Sequence, residues 1–392
     1  MRPISELAAS ALTGSQGEVR LVVDAWRDGV TVAEDLPVDS WEISWDATRQ
    51  VQATARLQIS DESGELGPWA PDDPLGAGGT RLRCRYRMVD VGEDVQMEWL
   101  RLVRPETSES WRVHPGLGVW LSTGAQVSVS AESLTWQARA ERFMGPQAPS
   151  VTGSTLGEVA HLLADIIPLG STAGVTDAPV PASIVYGQGR MDAVEALLTA
   201  LGATHRMSPD GLLDVVPVAG AAGDPWVIAG GDEGVLVDVS RSQDAAALFN
   251  AAVSTSTTGA GAQLVGTAVV PAGPLRFGGP HGRVPAFHGA NLAKTQAAVN
   301  ADAATFLATQ TTGQRTVLPV TCLPNPALQL FDPVTLPVPV AGTTDASPLT
   351  GIVVAQRMSG RGRTVHPMTL GIAVPTDELA IIADRLRRER RR

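Results

Sequence analysis

Lysine and cysteine are nearly absent from this 392-residue sequence. Lys294 is the one lysine among 30 basic residues, and the others are arginines. The two cysteines, Cys84 and Cys322, lie far apart and form no CxxC motif, which excludes a disulfide scaffold. We therefore expect two buried free thiols.

Long apolar runs are also missing, because no stretch approaches the roughly 20 apolar residues that span a bilayer. The first seven residues, MRPISEL, lack the layout of a signal peptide, so we expect synthesis in a cytoplasm. Hydrophobic residues make up 44% of the chain, which excludes a disordered polypeptide. The formal net charge of −11 argues against broad binding to nucleic acid or anionic membranes.

Short strands dominate the first third of the sequence, which 40 glycines and 28 prolines help divide into short segments. The segment 18–26 ends at Arg27-Asp28-Gly29 and Val30 resumes a strand, which predicts a hairpin. Alternation places Trp41, Ile43 and Trp45 on one strand face. Further strands are predicted over 51–59, 82–90, 95–103, 118–122 and 125–135.

Eight of the nine tryptophans lie between Trp26 and Trp136. This clustering favours a β-barrel or sandwich with a Trp-rich core over a ligand cage.

The middle of the chain changes to a helical pattern. Residues 154–167 and 190–201 have helical apolar spacing, and 205–217 has the pattern of a hairpin. The last third returns to strands, with a helix predicted over 292–309 and an Arg-rich helix at the end.

The predicted fold is mainly β with an α+β insert: two β modules flank a small α/β module, and a C-terminal helix follows. The predicted segments are 1–150, 151–234, 235–375 and 376–392.

The sequence offers only weak candidates for catalytic or metal-binding sites. Gly153-Ser154-Thr155-Leu156-Gly157 has threonine where a nucleophile elbow needs serine, and a helix cap is the favoured interpretation. His161 and Asp165 have a metal-compatible spacing but no third ligand nearby, so a core or interface histidine is favoured. The acidic segment 61–65 fails the calcium-loop spacing, and Asp72-Asp73-Pro74 is typical of a turn. We assign no catalytic, cofactor-binding or metal residue and expect no enzyme activity.

The C-terminal arginines are the one concentrated charge. Docking onto an acidic partner protein, or onto the chain's own acidic body, is favoured over DNA contact. The candidate docking residues are Arg385, Arg387, Arg388, Arg390, Arg391 and Arg392.

A series of segments in a fixed order carries a family resemblance. The quoted segments are Ala11-Leu12-Thr13-Gly14-Ser15 before the first strand, Ser44-Trp45-Asp46-Ala47-Thr48-Arg49, Leu57-Gln58-Ile59-Ser60-Asp61, Pro68 to Gly76 before a strand with Arg81, Arg83, Arg85 and Arg87, Val237-Asp238-Val239-Ser240-Arg241, Leu248-Phe249-Asn250-Ala251-Ala252-Val253, and Pro324 to Val334. The last of these looks like a "Pro-X-Leu-X-X-Gly-Asp-X-Val" motif with Phe331 in place of the glycine.

In this order the chain resembles the minor tail proteins of siphoviruses that infect actinobacteria, in the tail-tip or baseplate hub group. The resemblance covers most of the chain. It implies a virion structural protein that forms a homotrimer, a ring of six β-barrel-like domains matching the sixfold tail tube. Such a ring contacts a distal tail or tube protein above and a tip fibre or spike below. Its lumen passes the tape-measure protein and then DNA, without specific DNA binding.

Two alternatives stay open at this stage. One is a tail-associated module that binds or hydrolyses cell-wall glycans, for which the sequence offers no marked catalytic set. The other is a DNA-contacting protein that uses the terminal arginines.

Overall fold

The computed structural model describes residues 1–13, 17–180, 184–231, 234–240, 248–258, 261–273, 275–290, 295–311, 315–339 and 346–375. The C-terminal arginines and the predicted segment 376–392 lie outside these residues. The described residues divide into two compact units. Unit 1 comprises Met1–Val239, Pro319–Pro337 and Thr350–Ile372, and unit 2 centres on the described part of Ser240–Leu318.

Most strands of unit 1 form one large sheet, in which the described strands run in the order β11-β15-β19-β17-β3-β4-β7-β6-β5-β1-β2. β16 pairs with both β10 and β17. The strands of this sheet are β1 Val19–Arg27, β2 Val30–Ala33, β3 Val38–Asp46, β4 Ala53–Asp61, β5 Arg81–Met88, β6 Glu93–Val113, β7 Trp120–Ser133, β10 Trp226–Val227, β11 Leu236–Val239, β15 Arg315–Cys322, β16 Pro333–Pro339, β17 Ala346–Arg361, β18 Thr364–Val365 and β19 Met368–Pro375. The strands β8 Ala203–Met207 and β9 Leu213–Pro217 form a separate two-stranded sheet.

Alternating burial along β3 builds the sheet core. Trp41, Ile43 and Trp45 are buried, as the alternation predicts, while the residues between them are half-buried. The predicted first hairpin is also present, since Arg27 pairs with Val30. Asp28 and Gly29 take positive φ angles of 51° and 79°, which a two-residue hairpin turn requires.

The helical module of unit 1 packs on its own apolar core. Its helices are α2 Thr135–Ala140, α3 Thr155–Leu163 and α4 Arg190–Ala200, whereas α1 Glu6–Ala11 contributes no residue to this core. Ser154 caps α3 by accepting a hydrogen bond from Gly157 N at 2.7 Å, so the segment 153–157 is a helix start. Leu163, Met191 and Val194 from α3 and α4 lie in one buried cluster with Leu213 of the β8–β9 hairpin.

Unit 2 contains a three-stranded sheet with one helix against it. The elements are β12 Ala251–Thr257, β13 Gln263–Val269, β14 Pro285–Gly289 and α5 Gln296–Thr311, with β12 in the centre. A Cβ at Gly266 would lie 2.4 Å from the carbonyl oxygen of Val299, so α5 approaches β13 closely only because this residue is glycine.

These observations confirm the mainly β fold class with small helical parts. The predicted segments 1–150 and 235–375 share one sheet, because β17 pairs with β3 in antiparallel register from Ala355 opposite Asp46 to Arg361 opposite Ser40. The predicted division into barrel-like domains is not tested by this pairing and stays a prediction.

Candidate functional site

The Pro324–Val334 segment lies at the centre of a buried polar cluster in unit 1. Arg2 is buried, and its guanidinium donates hydrogen bonds to the carbonyl of Pro326 at 2.8 Å and to that of Leu328. Arg206 of β8 donates to the carbonyl of Leu330 and to Asp332, both at 2.9 Å. Two arginines therefore hold four polar groups of this segment.

Glu98 of β6 is the second buried acid of this cluster. Its carboxylate accepts a hydrogen bond from the Trp45 indole at 2.9 Å. Burial raises the pKa of Glu98 to about 7, against the opposing effects of the Trp45 hydrogen bond and the Arg2 charge. Burial likewise lowers the pKa of Arg2 to about 10, although Glu98 and Asp332 favour its charged form. Burial therefore disfavours the charged form of both Glu98 and Arg2.

The backbone turns sharply at Phe331. Its φ is 68°, in the left-handed region that favours glycine, although its side chain is buried. The related motif has glycine at this position, so the geometry of a glycine turn is kept here with a different residue.

The motif strand of unit 2 has an equally defined role. Asn250 is fully buried, and its side-chain amide donates to the carbonyl of Gly282 at 3.0 Å and accepts from Val284 N at 2.8 Å. It thereby ties the start of β12 to the loop before β14. The segments 324–334 and 248–253 are thus both structural anchors.

The alternating arginines of β5 line a cleft of about 290 Å³ beside β1. Arg85 pairs with Asp24 at 2.6 Å and with Asp94 at 2.9 Å, and Arg87 pairs with Asp94 at 2.5 Å. The hydrogen bond from Arg87, followed by the two arginine charges, lowers the pKa of Asp94 against the effect of burial. Arg85 and Arg87 are therefore engaged within the sheet face.

The remaining sequence candidates are separate from one another. His161 and Asp165 are exposed, on and just after α3, so His161 is not a core residue. The other half of that expectation, an interface histidine, is not tested and stays a prediction. In the part of the chain that the structure describes, no group of three or more His, Cys, Asp or Glu side chains is placed to hold a metal. The Asp61 carboxylate instead accepts backbone hydrogen bonds from the turn 64–67, and that of Asp73 from residues 69 and 70.

Both cysteines are free and buried, as expected. Burial raises the pKa of Cys322 to about 12 and holds the pKa of Cys84 well above its usual range, with Glu98 and Asp24 adding to the effect on Cys84. Both thiols are therefore held in the protonated, unreactive form.

The tryptophan cluster is only partly a core. Trp41 and Trp45 are buried, Trp26, Trp99 and Trp136 are half-buried, and three others are exposed. The exposed ones are Trp69, Trp111 and Trp120. The Trp-rich core was therefore overestimated, and the exposed three are surface features that sequence reasoning missed.

No helix among the residues described is long and apolar enough to cross a membrane. No family model and no curated protein matches the sequence.

Solved structures do match. The chain is similar to a tail protein from Neisseria meningitidis MC58, with 13% identity, a TM-score of 0.59, and coverage of 90% of this chain and 96% of that one. It is also similar to the 43 kDa tail protein of prophage MuSo2 from Shewanella oneidensis, with 11% identity, a TM-score of 0.54, and coverage of 91% and 98%. The chain thus shares its fold, over nearly its full length, with phage tail proteins.

Proposed function

We propose that this chain is a structural hub protein of a bacteriophage tail tip. The observation that carries the proposal is the shared fold with two tail proteins over at least 90% of the chain. The order of the quoted segments supports it. In two of them a buried side chain fixes the backbone: Asp332 accepts from Arg206, and Asn250 donates to the carbonyl of Gly282. We expect the protein in the virion, after synthesis in the host cytoplasm, and not as an enzyme.

In this proposal three copies form a ring between the tail tube and the tip fibre or spike. Each chain supplies two β modules, so that a threefold ring presents six positions to the sixfold tube. The tape-measure protein and then DNA pass through the lumen. The net charge of −11 suits that passage, because an acidic wall repels phosphate and DNA slides without binding.

The siphovirus and actinobacteriophage assignment belongs to the same proposal. It rests on the motif order and on the replacement of lysine by arginine at all but Lys294, which is typical of proteins encoded by high-GC genomes.

Mass photometry of the purified chain over a concentration series tests the ring. We expect a species of three times the 40.9 kDa of one chain, and images of that species with threefold symmetry. A monomer at every concentration that is retained on purified peptidoglycan would contradict the hub and support the glycan-binding alternative.

Immunogold labelling of intact particles tests the location independently. Antibody against this chain is expected at the tail tip only. Label on capsids, or none on particles that contain the chain, would contradict the proposal.

A further inference from the structure

The hairpin formed by β6 and β7 extends beyond the sheet that carries it. β6 pairs with β5 as far as Arg101, and β7 pairs with β4 only from Ala125 onward. Residues 104–109 of β6 form an edge of the sheet, because the β7 residues opposite them also pair with β4. From Trp111 opposite Ser122 to Val113 opposite Trp120 the two strands pair only with each other. We call residues 104–124 the hairpin arm, of which the end, residues 110–124, extends past the sheet.

The end of the hairpin arm carries a concentration of exposed apolar side chains. The register places Trp111, Val113 and Trp120 on one face, because Val113 and Trp120 are cross-strand partners and Trp111 lies two residues from Val113. Trp111 is 50% exposed and Trp120 is 68% exposed. The other exposed apolar residues at this end are Leu117, Val119 and Leu121.

The apolar side chains on one face of the hairpin end form a patch of functional size. Trp111, Val113 and Trp120 together expose roughly 400 Å², within the 300–600 Å² of the largest apolar patch on a typical monomer, and such patches are often functional. Leu121 lies on the opposite face, because it pairs with Arg112. The position of this patch at the end of a hairpin indicates an interface.

The net charge of the hairpin arm bears on which class of molecule binds it. The arm carries Arg104 and Arg112 against Glu106 and Glu109, so it has no net charge at neutral pH. A neutral arm has no electrostatic attraction to nucleic acid or to an anionic lipid surface. We therefore take a protein surface with exposed apolar side chains as the partner, and the vesicle measurement below tests a membrane in its place.

The same chain offers such a surface away from the arm's end. Trp69 is 83% exposed and Val30 is 64% exposed. Arg27, near the β1–β2 turn that leads into Val30, donates hydrogen bonds to the carbonyls of Asp72 and Asp73, so the loop that carries Trp69 lies beside this turn. We call Val30 and Trp69 the turn patch.

We propose that the hairpin arm docks onto the turn patch of a second copy of this chain. An arm and a separate acceptor patch on one chain produce a head-to-tail contact, which closes into a ring when the rotation between neighbouring copies permits it. The inference rests on the proposed ring for its biological setting, but the contact is tested separately from it.

The first test compares self-association of the full chain with that of a Trp111→Ser/Trp120→Ser variant. The wild type is expected to associate, and the variant to do so with a dissociation constant raised by about 30-fold or more, as for tryptophan hot spots. At a concentration at which both proteins are monomeric, their thermal unfolding should coincide, because these side chains are not in a core. An Arg112→Ala/Thr123→Ala variant on the opposite arm face is the matched control and should associate like the wild type.

A photo-crosslinking amino acid in place of Leu117 provides a second readout. Irradiation at the highest soluble concentration is expected to give a product of twice the 40.9 kDa chain mass, with the crosslink near Trp69 or Val30. Absence of that product overturns the proposal, as does a tryptophan variant that associates like the wild type. Binding to phosphatidylglycerol vesicles that the tryptophan substitutions abolish, without self-association, would replace the second copy by a membrane.

These outcomes distinguish the proposed arm contact from the proposed ring. A trimer that persists in the tryptophan variant refutes the arm contact and leaves the hub intact. A dimer that depends on Trp111 and Trp120, with no trimer, supports the arm contact and contradicts the ring.

Discussion

At the residue scale, Trp41 shows how the sheet core depends on one large side chain. It is 4% exposed and lies opposite Gly360, where a Cβ would come within 2.8 Å of its indole nitrogen. The glycine makes room for the ring, and the ring covers a stretch of strand without a side chain.

Replacing Trp41 by alanine is expected to lower the free energy of unfolding by about 3–5 kcal/mol, because a large buried aromatic is lost and a cavity remains. Trp69→Ala is the matched control, since that side chain is 83% exposed, and should change stability by no more than about 0.5 kcal/mol. Urea denaturation measures both. Equal effects of the two substitutions would contradict the placement of Trp41 in the core.

Two buried ionisable residues give opposite contributions to the pH dependence of stability. Burial raises the pKa of Glu98 to about 7 and lowers the pKa of His205 to about 4. A carboxyl with a raised folded pKa makes the folded state bind more protons, so stability falls as pH rises from about 4.3 to 7. A histidine with a lowered folded pKa makes the unfolded state bind more protons, so stability rises between about pH 4 and 6.5.

Two single variants separate these contributions. Relative to the wild type, Glu98→Gln should become increasingly stable as pH rises from 4.5 to 7, because the cost of ionising a buried carboxyl is removed. His205→Gln should become relatively less stable between pH 4 and 6.5. Urea denaturation at several pH values measures both differences. Differences that stay constant with pH would show that neither residue titrates in this range.

At the element scale, the turn at Phe331 allows a test of the backbone alone. Phe331→Gly and Phe331→Ala both lose the buried ring, but only alanine keeps a Cβ in the left-handed region. The glycine variant should therefore be more stable than the alanine variant by about 1 kcal/mol.

Leu330 next to it provides the control. It is also buried, but it is not among the described residues with positive φ. There we expect the ordinary order, with the alanine variant more stable than the glycine variant. The same order at both positions, measured by urea denaturation, would refute the backbone strain at Phe331.

Local pattern predicted most elements of unit 1 because burial alternates along them. β3 and β4 and the helices α3 and α4 have one buried face, and that periodicity is written in the sequence. The pairing of β17 with β3 is different, since it joins residues about 300 positions apart by backbone hydrogen bonds that leave no local pattern.

The hairpin arm shows a second limit. The strand predicted over 95–103 continues to Val113, through Pro105 and a polar run. Neither face of the arm is covered by the sheet, so no alternation of burial marks it, and proline is tolerated where only one edge of β6 is paired. Trp111 and Trp120 were the only sequence feature that could have indicated an exposed hairpin end. Clustering of tryptophans in the sequence does not distinguish an exposed pair from a pair in the core.

At the scale of the whole molecule, the fold is shared with tail proteins at 13% and 11% identity. Few identical residues are needed, because a buried position accepts many apolar residues of similar volume.

The distribution of charge is the other property of the whole chain. The last ten residues hold six arginines against Asp384 and Glu389, while the chain as a whole carries a net charge of −11. The arginines lie outside the described residues, so their role remains a prediction from the sequence: they dock onto an acidic protein surface and do not bind DNA.

A truncation that ends at Asp384 tests this prediction against a DNA duplex. Because the acidic remainder repels phosphate, the full chain and the truncated chain should both bind negligibly at physiological salt. Any binding at low salt should fall steeply as salt is added, with a logarithmic slope of at most about 5 if six arginines contact phosphates.

A variant with glutamine in place of all six arginines controls for chain length. It should behave nearly like the truncation, since it removes a net charge of +6 and the truncation, which also removes Glu389, removes +5. Duplex binding that persists at physiological salt and disappears in both variants would assign the arginines to DNA. Unchanged duplex binding, together with loss of binding to an acidic tail protein in both variants, would assign the arginines to assembly. The acidic tail protein would then compete with the chain's own acidic body for the same six guanidinium groups.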